Sequence, residues 1–315
     1  MKVSFVIPCY RSEKTLCGVV AEIKAVVAQR PNVDYEIVMV SDHSPDKVYS
    51  VIERLAKEDP GHCRGLEFAK NFGQNAALMA GFSRSTGDVV FSIDDDGQMP
   101  LESTFSLVDK LMVEGYDVVY GAYASKQHNA FRNLGSLVNR WMAGWLVGRP
   151  KGLKMSSFYA MKRFVVDEIL RYHGPFTYVG GLIFRATKNI ANVEVKHRAR
   201  QFGSSGYTMS KLFALWMNGF TAFSVKPLRL ATWLGFLCSG IGAALGVWII
   251  IRKLFIVQSV PLGYSSLMAV LLFMGGIIML MLGLIGEYIG RIYICINQSP
   301  QFVISREVNK AVLCN

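Results

Sequence analysis

Apolar and polar positions follow two different periods through the first third of the chain. Short apolar runs at Val3–Ile7, Tyr35–Val40, Gly65–Ala69 and Asp88–Ile93 read as buried strands, the first closed by Pro8. Between them, Leu16, Val19, Val20, Ile23, Val26 and Val27 recur on one side of a helix predicted over Glu13–Gln29. Two more helices are predicted near Lys47–Lys57 and Gly73–Ser85, and one further strand over Tyr116–Gly121. Strands alternating with helices predict a Rossmann-like α/β domain, a mostly parallel sheet with helices on both faces.

Farther on the pattern changes. Leu134, Val138, Trp141, Met142 and Trp145 recur at helical spacing near 131–147, with Arg132 and Arg140 elsewhere on the wheel. Met209, Leu212, Phe213, Trp216, Met217 and Phe220 mark a second amphipathic helix near 209–223. Such helices pack in soluble cores or lie in the headgroup region of a bilayer. The tail favours the bilayer. Leu230–Ile251 is a run of 22 residues without a charge, and Leu262–Gly286 is another uncharged run. Each is long enough to cross a hydrocarbon core of about 30 Å. Two spans are therefore expected, about 230–252 and 262–287, with Gly242/Gly246 and Gly286/Gly290 at close-packing spacing.

Charge sharpens this division. The net charge of +11 is unevenly placed, with 12 Lys/Arg against 18 Asp/Glu in residues 1–117 and 22 against 5 in the rest. Basic residues beside apolar runs point to anionic headgroups or a phosphate-bearing ligand, and not to nucleic acid. Lys211, Lys226, Arg229, Arg291, Arg306 and Lys310 flank the outer ends of the spans, against Arg252 and Lys253 between them. The positive-inside rule puts the N-terminal domain and the 291–315 tail in the cytoplasm. Six scattered cysteines without Cys-x-x-Cys spacing argue against a zinc site or a disulfide framework. The N-terminus reads as a strand and not as a signal peptide.

The candidate chemistry sits where predicted strands end, since ligands of open α/β sheets bind beyond the carboxyl ends of strands. Pro8-Cys9-Tyr10, Ser41-Asp42 and Asp94-Asp95-Asp96 occupy three such ends. In an extended chain Asp94 and Asp96 face one way and Asp95 the other. Paired carboxylates suit a hard divalent cation shared with phosphates, although the same three acids also suit a solvated turn before a helix at Leu101. No Gly-x-Gly-x-x-Gly follows the first strand and no P-loop is present.

Val6-Ile-Pro-Cys-Tyr10, Val40-Ser-Asp-His-Ser-Pro-Asp46, Lys70-Asn-Phe-Gly-Gln-Asn-Ala-Ala77 and Asp94-Asp-Asp-Gly-Gln98 resemble, in order, the motifs of inverting family 2 glycosyltransferases with the GT-A fold. More narrowly they resemble the polyprenyl-phosphate glycosyltransferases, the group of dolichol-phosphate mannose synthase and bacterial undecaprenyl-phosphate sugar transferases. The resemblance covers nearly the whole chain. It implies a GT-A catalytic domain over 1–229, a two-helix transmembrane anchor over 230–290 and a cytoplasmic tail. Pro8, Tyr10 and Asp42, with Asp94 and Asp95, would line the nucleotide-sugar pocket. Asp94, Asp96 and Gln98 would hold Mg2+ or Mn2+ on the diphosphate, with Asp96 central to catalysis.

The resemblance extends to the basic segments. His197-Arg-Ala-Arg-Gln-Phe-Gly-Ser-Ser-Gly-Tyr207 is similar to a family loop with Arg, Gly, Ser and Tyr at fixed spacing, matched by Arg200, Gly203, Ser205 and Tyr207. Arg200 and Arg132 would contact phosphate, and Arg132, Ser205 and Tyr207 the acceptor. Arg11-Ser12 stands where the family often has Asn-Glu, Ser41 replaces the first of two acids, and Ser156-Ser157 replaces an acid carried by relatives. The implied partners are a nucleotide-diphosphate sugar, a polyprenyl phosphate and membrane lipids at the bacterial inner membrane, with homo-oligomerisation left open. A processive polysaccharide synthase is the rival enzyme; its Gln-x-x-Arg-Trp motif would need Gln at Leu137. A non-catalytic membrane receptor for nucleotide sugars is the rival outside enzymes.

Overall fold

The computed structural model describes residues 1–123, 152–175, 177–195, 263–297 and 299–310, with isolated positions between 233 and 255. The chain forms two compact units, Met1–Gly206 together with Gln298–Asn315, and Tyr207–Asn297.

The first unit opens with β1 (Lys2–Cys9), α1 (Leu16–Val27), β2 (Asp34–Ser41), α2 (Val48–Glu58), β3 (Cys63–Phe68), α3 (Gln74–Arg84) and β4 (Val89–Ser92). It continues with α4 (Thr104–Met112), β5 (Val118–Tyr123), β6 (Tyr159–Lys162), α5 (Arg163–Leu170), α6 (Val179–Ala186) and β7 (Ile190–Val195), and it ends with β8 (Ile304–Val308). All strands join one mixed sheet in the order β7-β5-β6-β4-β1-β2-β3-β8. β4, β1, β2 and β3 run parallel, whereas β6 is antiparallel to both β4 and β5. The chain winds outward from β1 to β3 and then returns to place β4 on the other side of β1. Strand order therefore reverses between β1 and β4, and the crevice at such a reversal is where ligands bind.

Alternation along the strands makes two cores. Val3, Phe5 and Ile7 pack with α1, α2 and α4 on one face; Val6, Val38 and Val40 pack with α3, α5 and α6 on the other. Gly81 lets α3 lie close to β1, since a Cβ there would meet Val6 Cγ1 at 2.2 Å.

Two expectations are corrected here. β1 does not stop before Pro8 but runs through it, pairing Pro8 with Val40. Odd-numbered carbonyls of β1 face β2, as in Asp34 N–H to Met1 O and Asp42 N–H to Cys9 O, while Val6 O faces β4 and accepts from Ile93 N–H. Pro8 thus faces the β4 side beyond the last pair, Val6–Ser92, and its missing N–H breaks no ladder bond. The second correction concerns the segment read as a tail. Residues 304–308 form β8, antiparallel to β3 with Gly65 opposite Val308. Phe302 stacks on Phe68 at 5.4 Å, and Arg84 pairs with Glu307 at 2.9 Å. β8 covers an edge that would otherwise present unpaired backbone groups.

In the second unit α7 (Tyr264–Ile296) is a helix of 33 residues, about 50 Å long. It begins near the expected start of the second span and continues beyond the expected end at 287. Leu267, Val270, Phe273, Met279 and Leu282 are exposed on it. Its Phe273–Ile296 portion is the one helix among the described residues long and apolar enough to cross a membrane. Every described position from Trp233 to Phe255 is helical. The expected helices at 131–147 and 209–223, and most of the expected first span, lie outside the described residues.

Candidate active site

The carboxyl ends of β1, β2 and β4 meet at the reversal of strand order. Two non-glycine residues there have left-handed backbones, Arg11 at φ 60° after β1 and His43 at φ 48° after β2. Non-glycine residues rarely adopt this conformation and cluster at functional sites when they do. The two loops hold one another: Arg11 N–H donates to Ser44 Oγ at 2.8 Å, Glu13 N–H to Asp46 Oδ2 at 3.0 Å, and Lys47 N–H to Glu13 Oε2 at 3.2 Å. Between them lies an open cleft of about 470 Å³ lined by Arg11, Glu13, Lys14, Thr15, Pro45 and Asp46. Tyr10, next to Arg11 in sequence, is exposed, with the Arg11 guanidinium 5.5 Å from its ring centre.

β4 ends at Ser92, so the three aspartates lie in a turn. Asp95 bends back to β1, accepting from Tyr10 N–H at 2.9 Å, while its carbonyl accepts from Thr15 Oγ1 at 2.6 Å. Asp96 Oδ1 accepts from Gln98 N–H at 3.0 Å across Gly97, whose φ of 70° closes the turn. Asp94 Oδ1 accepts from Gln74 Nε2 at 3.0 Å, and Asp94 Oδ2 from the Ser157 hydroxyl. Asp94 and Asp96 both act on the Tyr123 phenol, which burial and then these two charges push up to about 12.

Among the described residues the acidic turn is short of positive charge. Burial pushes the Asp94 carboxyl up to about 6, the neighbouring charges of Asp96 and Asp95 add to it, and the bonds from Ser157 and Gln74 oppose it. Asp95 is raised too, chiefly by burial. Among the described residues no Lys or Arg forms an ion pair with any of the three. The Gln98 Nε2 is buried without a partner among them.

These residues fit a hard divalent cation in part. Among the described residues Asp94 and Asp96 offer carboxylate oxygens with no competing Lys or Arg, and the Gln98 Nε2 has no partner. Among the described residues no three Asp, Glu, His or Cys side chains converge to make a full protein cage. A site of one or two carboxylates completed by phosphate oxygens and water is the usual arrangement for Mg2+.

Asp42, expected on the pocket wall, lies just after β2 and holds a neighbouring loop. It is 4% exposed, and its two oxygens accept from Phe72 N–H at 2.7 Å and Gly73 N–H at 2.8 Å. These bonds pin the 71–73 loop and leave one lone-pair site on each oxygen. Pro8 is likewise buried within β1. Arg132, Arg200, Ser205 and Tyr207 lie outside the described residues. Gln74, Ser157 and Tyr123 entered no sequence-based assignment. Gln74 sits inside the Lys70–Ala77 motif, and Ser157 at the position where an acid was expected; those were the available signals.

Glycosyl transferase family 2 matches residues 4–170, and the GtrB C-terminal hairpin matches residues 226–292. The chain belongs to glycosyl transferase family 2 and is a glycosyltransferase. Among its relatives is the undecaprenyl-phosphate 4-deoxy-4-formamido-L-arabinose transferase of Photorhabdus laumondii, 32% identical over 98% of this chain and 94% of the relative. The enzyme of the same name from an Enterobacter species is 33% identical over the same shares. A glucosyl-3-phosphoglycerate synthase structure from Mycobacterium tuberculosis is similar at 21% identity, covering 74% of this chain and 79% of that one, with a TM-score of 0.49. At that score the likeness carries nothing about the site.

Proposed function

We propose that this enzyme moves one sugar from a nucleoside diphosphate sugar to a polyprenyl phosphate, undecaprenyl phosphate in a bacterial membrane, with inversion at C1. The observation that carries the reading is the acidic turn at the reversal of strand order, in a chain similar along its whole length to undecaprenyl-phosphate sugar transferases. A phosphate oxygen of the acceptor attacks C1 from the face opposite the leaving group. The bond from C1 to the diphosphate oxygen breaks, and its electron pair stays on the nucleoside diphosphate. A phosphate monoester is largely dianionic at neutral pH, its second pKa lying near ~6, so no general base is needed.

Asp94 and Asp96, with Gln98, would hold a divalent cation, which when bound supplies Lewis-acid stabilisation of the departing diphosphate. Tyr10 and the left-handed loops after β1 and β2 frame the donor cleft. Arg132 and Arg200 are assigned to phosphate oxygens, where a guanidinium bonds through two N–H groups at once.

A two-span, multi-pass topology with the catalytic domain in the cytoplasm belongs to the same reading, supported by parity. The chain leaves the sheet after β7 and rejoins it at β8, and one sheet lies on one side of a bilayer. Between them the chain must cross an even number of times. α7 supplies one crossing, and the uncharged run 230–251 supplies the other. The Lys/Arg bias at the outer ends then selects the cytoplasmic side.

The test is transfer from radiolabelled UDP- and GDP-sugars by the purified full-length enzyme in vesicles containing undecaprenyl phosphate. One sugar per organic-extractable lipid is expected, lost with a chelator and restored by Mn2+. A polymeric product, or donor binding without turnover, would defeat the reading.

A further inference from the structure

The Asp94 carboxylate is held by donors from two elements other than its own. Gln74 is the first residue of α3, and it reaches Asp94 Oδ1 at 3.0 Å. Ser157 precedes β6, whose antiparallel register pairs Ser92 with Tyr159 and Phe91 with Ala160; continued by two residues, it sets Ser157 opposite Asp94. Its hydroxyl donates to Asp94 Oδ2. A carboxylate has about four lone-pair sites, so one donor on each oxygen leaves one site free on each.

The placement of Gln74 is itself built. Gly73 has φ +92°, a backbone that a side chain would strain, and its N–H and that of Phe72 both end on the buried Asp42 carboxylate. Asn71 Nδ2 also donates to Asp42 O at 3.1 Å. Phe72 packs edge-on against Phe68 at 5.6 Å, so the loop rests on the core.

We propose that Gln74 and Ser157 are positioning residues that clamp Asp94 from both sides in the orientation in which it ligates the cation, and that Asp42 acts one step behind by fixing the loop that carries Gln74. Neutral donors suit this task. They orient the carboxylate without neutralising it, whereas a Lys or Arg in either place would compete with the metal. Donors of this kind behind a metal ligand affect affinity by about ten- to a hundredfold. The assignment rests on the cation reading of Asp94 and Asp96 given above.

The experiment is Mn2+ binding to the full-length protein in nanodiscs, followed by the electron paramagnetic resonance signal of free Mn2+, without donor or acceptor. Ser157→Ala and Gln74→Leu are each expected to weaken Mn2+ binding about tenfold, with unchanged melting temperature since both side chains are exposed. Ser157→Thr, which keeps the hydroxyl, restores binding. In transfer assays the Mn2+ concentration for half-maximal rate rises in parallel, while kcat at saturating Mn2+ changes less. Variants that bind Mn2+ within about twofold of the wild type would overturn the clamp and leave the cation site standing. A wild-type protein that binds no Mn2+ and transfers sugar in chelator would overturn both.

Discussion

The two ends of the central sheet treat buried acids in opposite ways. At the amino end Glu36 is 1% exposed and surrounded by donors. Ser4 Oγ reaches it at 2.6 Å, the Thr86 N–H and hydroxyl also donate, and Lys2 and Arg64 lie at 3.1 and 3.3 Å. Burial pushes its carboxyl up, but the Ser4 and Thr86 bonds and the two cations outweigh burial and leave it lowered. At the carboxyl end the donors to Asp94 among the described residues are neutral, and its carboxyl is pushed up to about 6. Desolvation pushes both carboxyls up, although Glu36 is fully buried and Asp94 half-buried. Among the described residues, what separates the two acids is whether Lys or Arg side chains pair with the carboxylate.

The sharpest way to break this contrast is at Asp96. Asp96→Ala is expected to cut transfer by about a thousandfold or more, the scale on which charge stabilisation of a leaving group operates. Folding should survive, since removing one of three mutually repelling acids costs no ion pair. Turnover in vesicles and thermal unfolding of the same preparation check the two halves. Retained turnover at saturating Mn2+ would remove Asp96 from the reaction.

The next largest effect is on stability, and it has opposite pH dependence at the two ends. Glu36→Gln removes the partner of Lys2 and Arg64, at a cost of about 2 to 3 kcal/mol because both cations are partly solvated. Glu36 has a lowered folded pKa, so its contribution is present above the unfolded pKa and lost as pH falls through the folded one. Asp94 is the reverse. Between about 4 and about 6 the native state binds more protons than the unfolded chain, so stability falls as pH rises through that window. In chelator, Asp94→Asn should therefore gain on the wild type as pH goes from 4 to 7, while Glu36→Gln should lose. Parallel melting curves for the two variants would mean that the ends do not differ as described.

The same contrast marks what the sequence could reveal. β1 to β4 and α1 to α3 were legible because each carries its own period, strand or helix, within a few residues. β8 was not, because its pairing depends on Phe68 meeting Ile304 across more than half the chain, and its five residues follow a long apolar run. β6 is four residues long, too short to show a period of its own. In the site, the acidic turn and Tyr10 announced themselves by residue type and place. Asp42 was legible as an acid at a strand end, but not as the anchor of the 71–73 loop, because the backbone N–H groups that donate to it come from another element and no local pattern foretells them. Ser157 owes its place to strand register and Gln74 to a loop, and neither is visible as a motif.

β8 offers the smallest and last test, one that asks whether charge supplied at an exposed edge resembles the Glu36 cluster. Arg306 pairs with Glu67 and lies 4.3 Å over the Tyr49 ring, but its side chain is 62% exposed. A solvated pair of this kind contributes less than about 1 kcal/mol. Phe302 is half-buried against Phe68, and losing its ring should cost about 1 to 2 kcal/mol, below the loss from a fully buried phenylalanine. Phe302→Ala should therefore destabilise more than Arg306→Ala in denaturant titrations of the full-length protein. The reverse order would mean that charge, and not apolar contact, holds β8 to β3, and the rule drawn from Glu36 would then extend to the rim of the sheet.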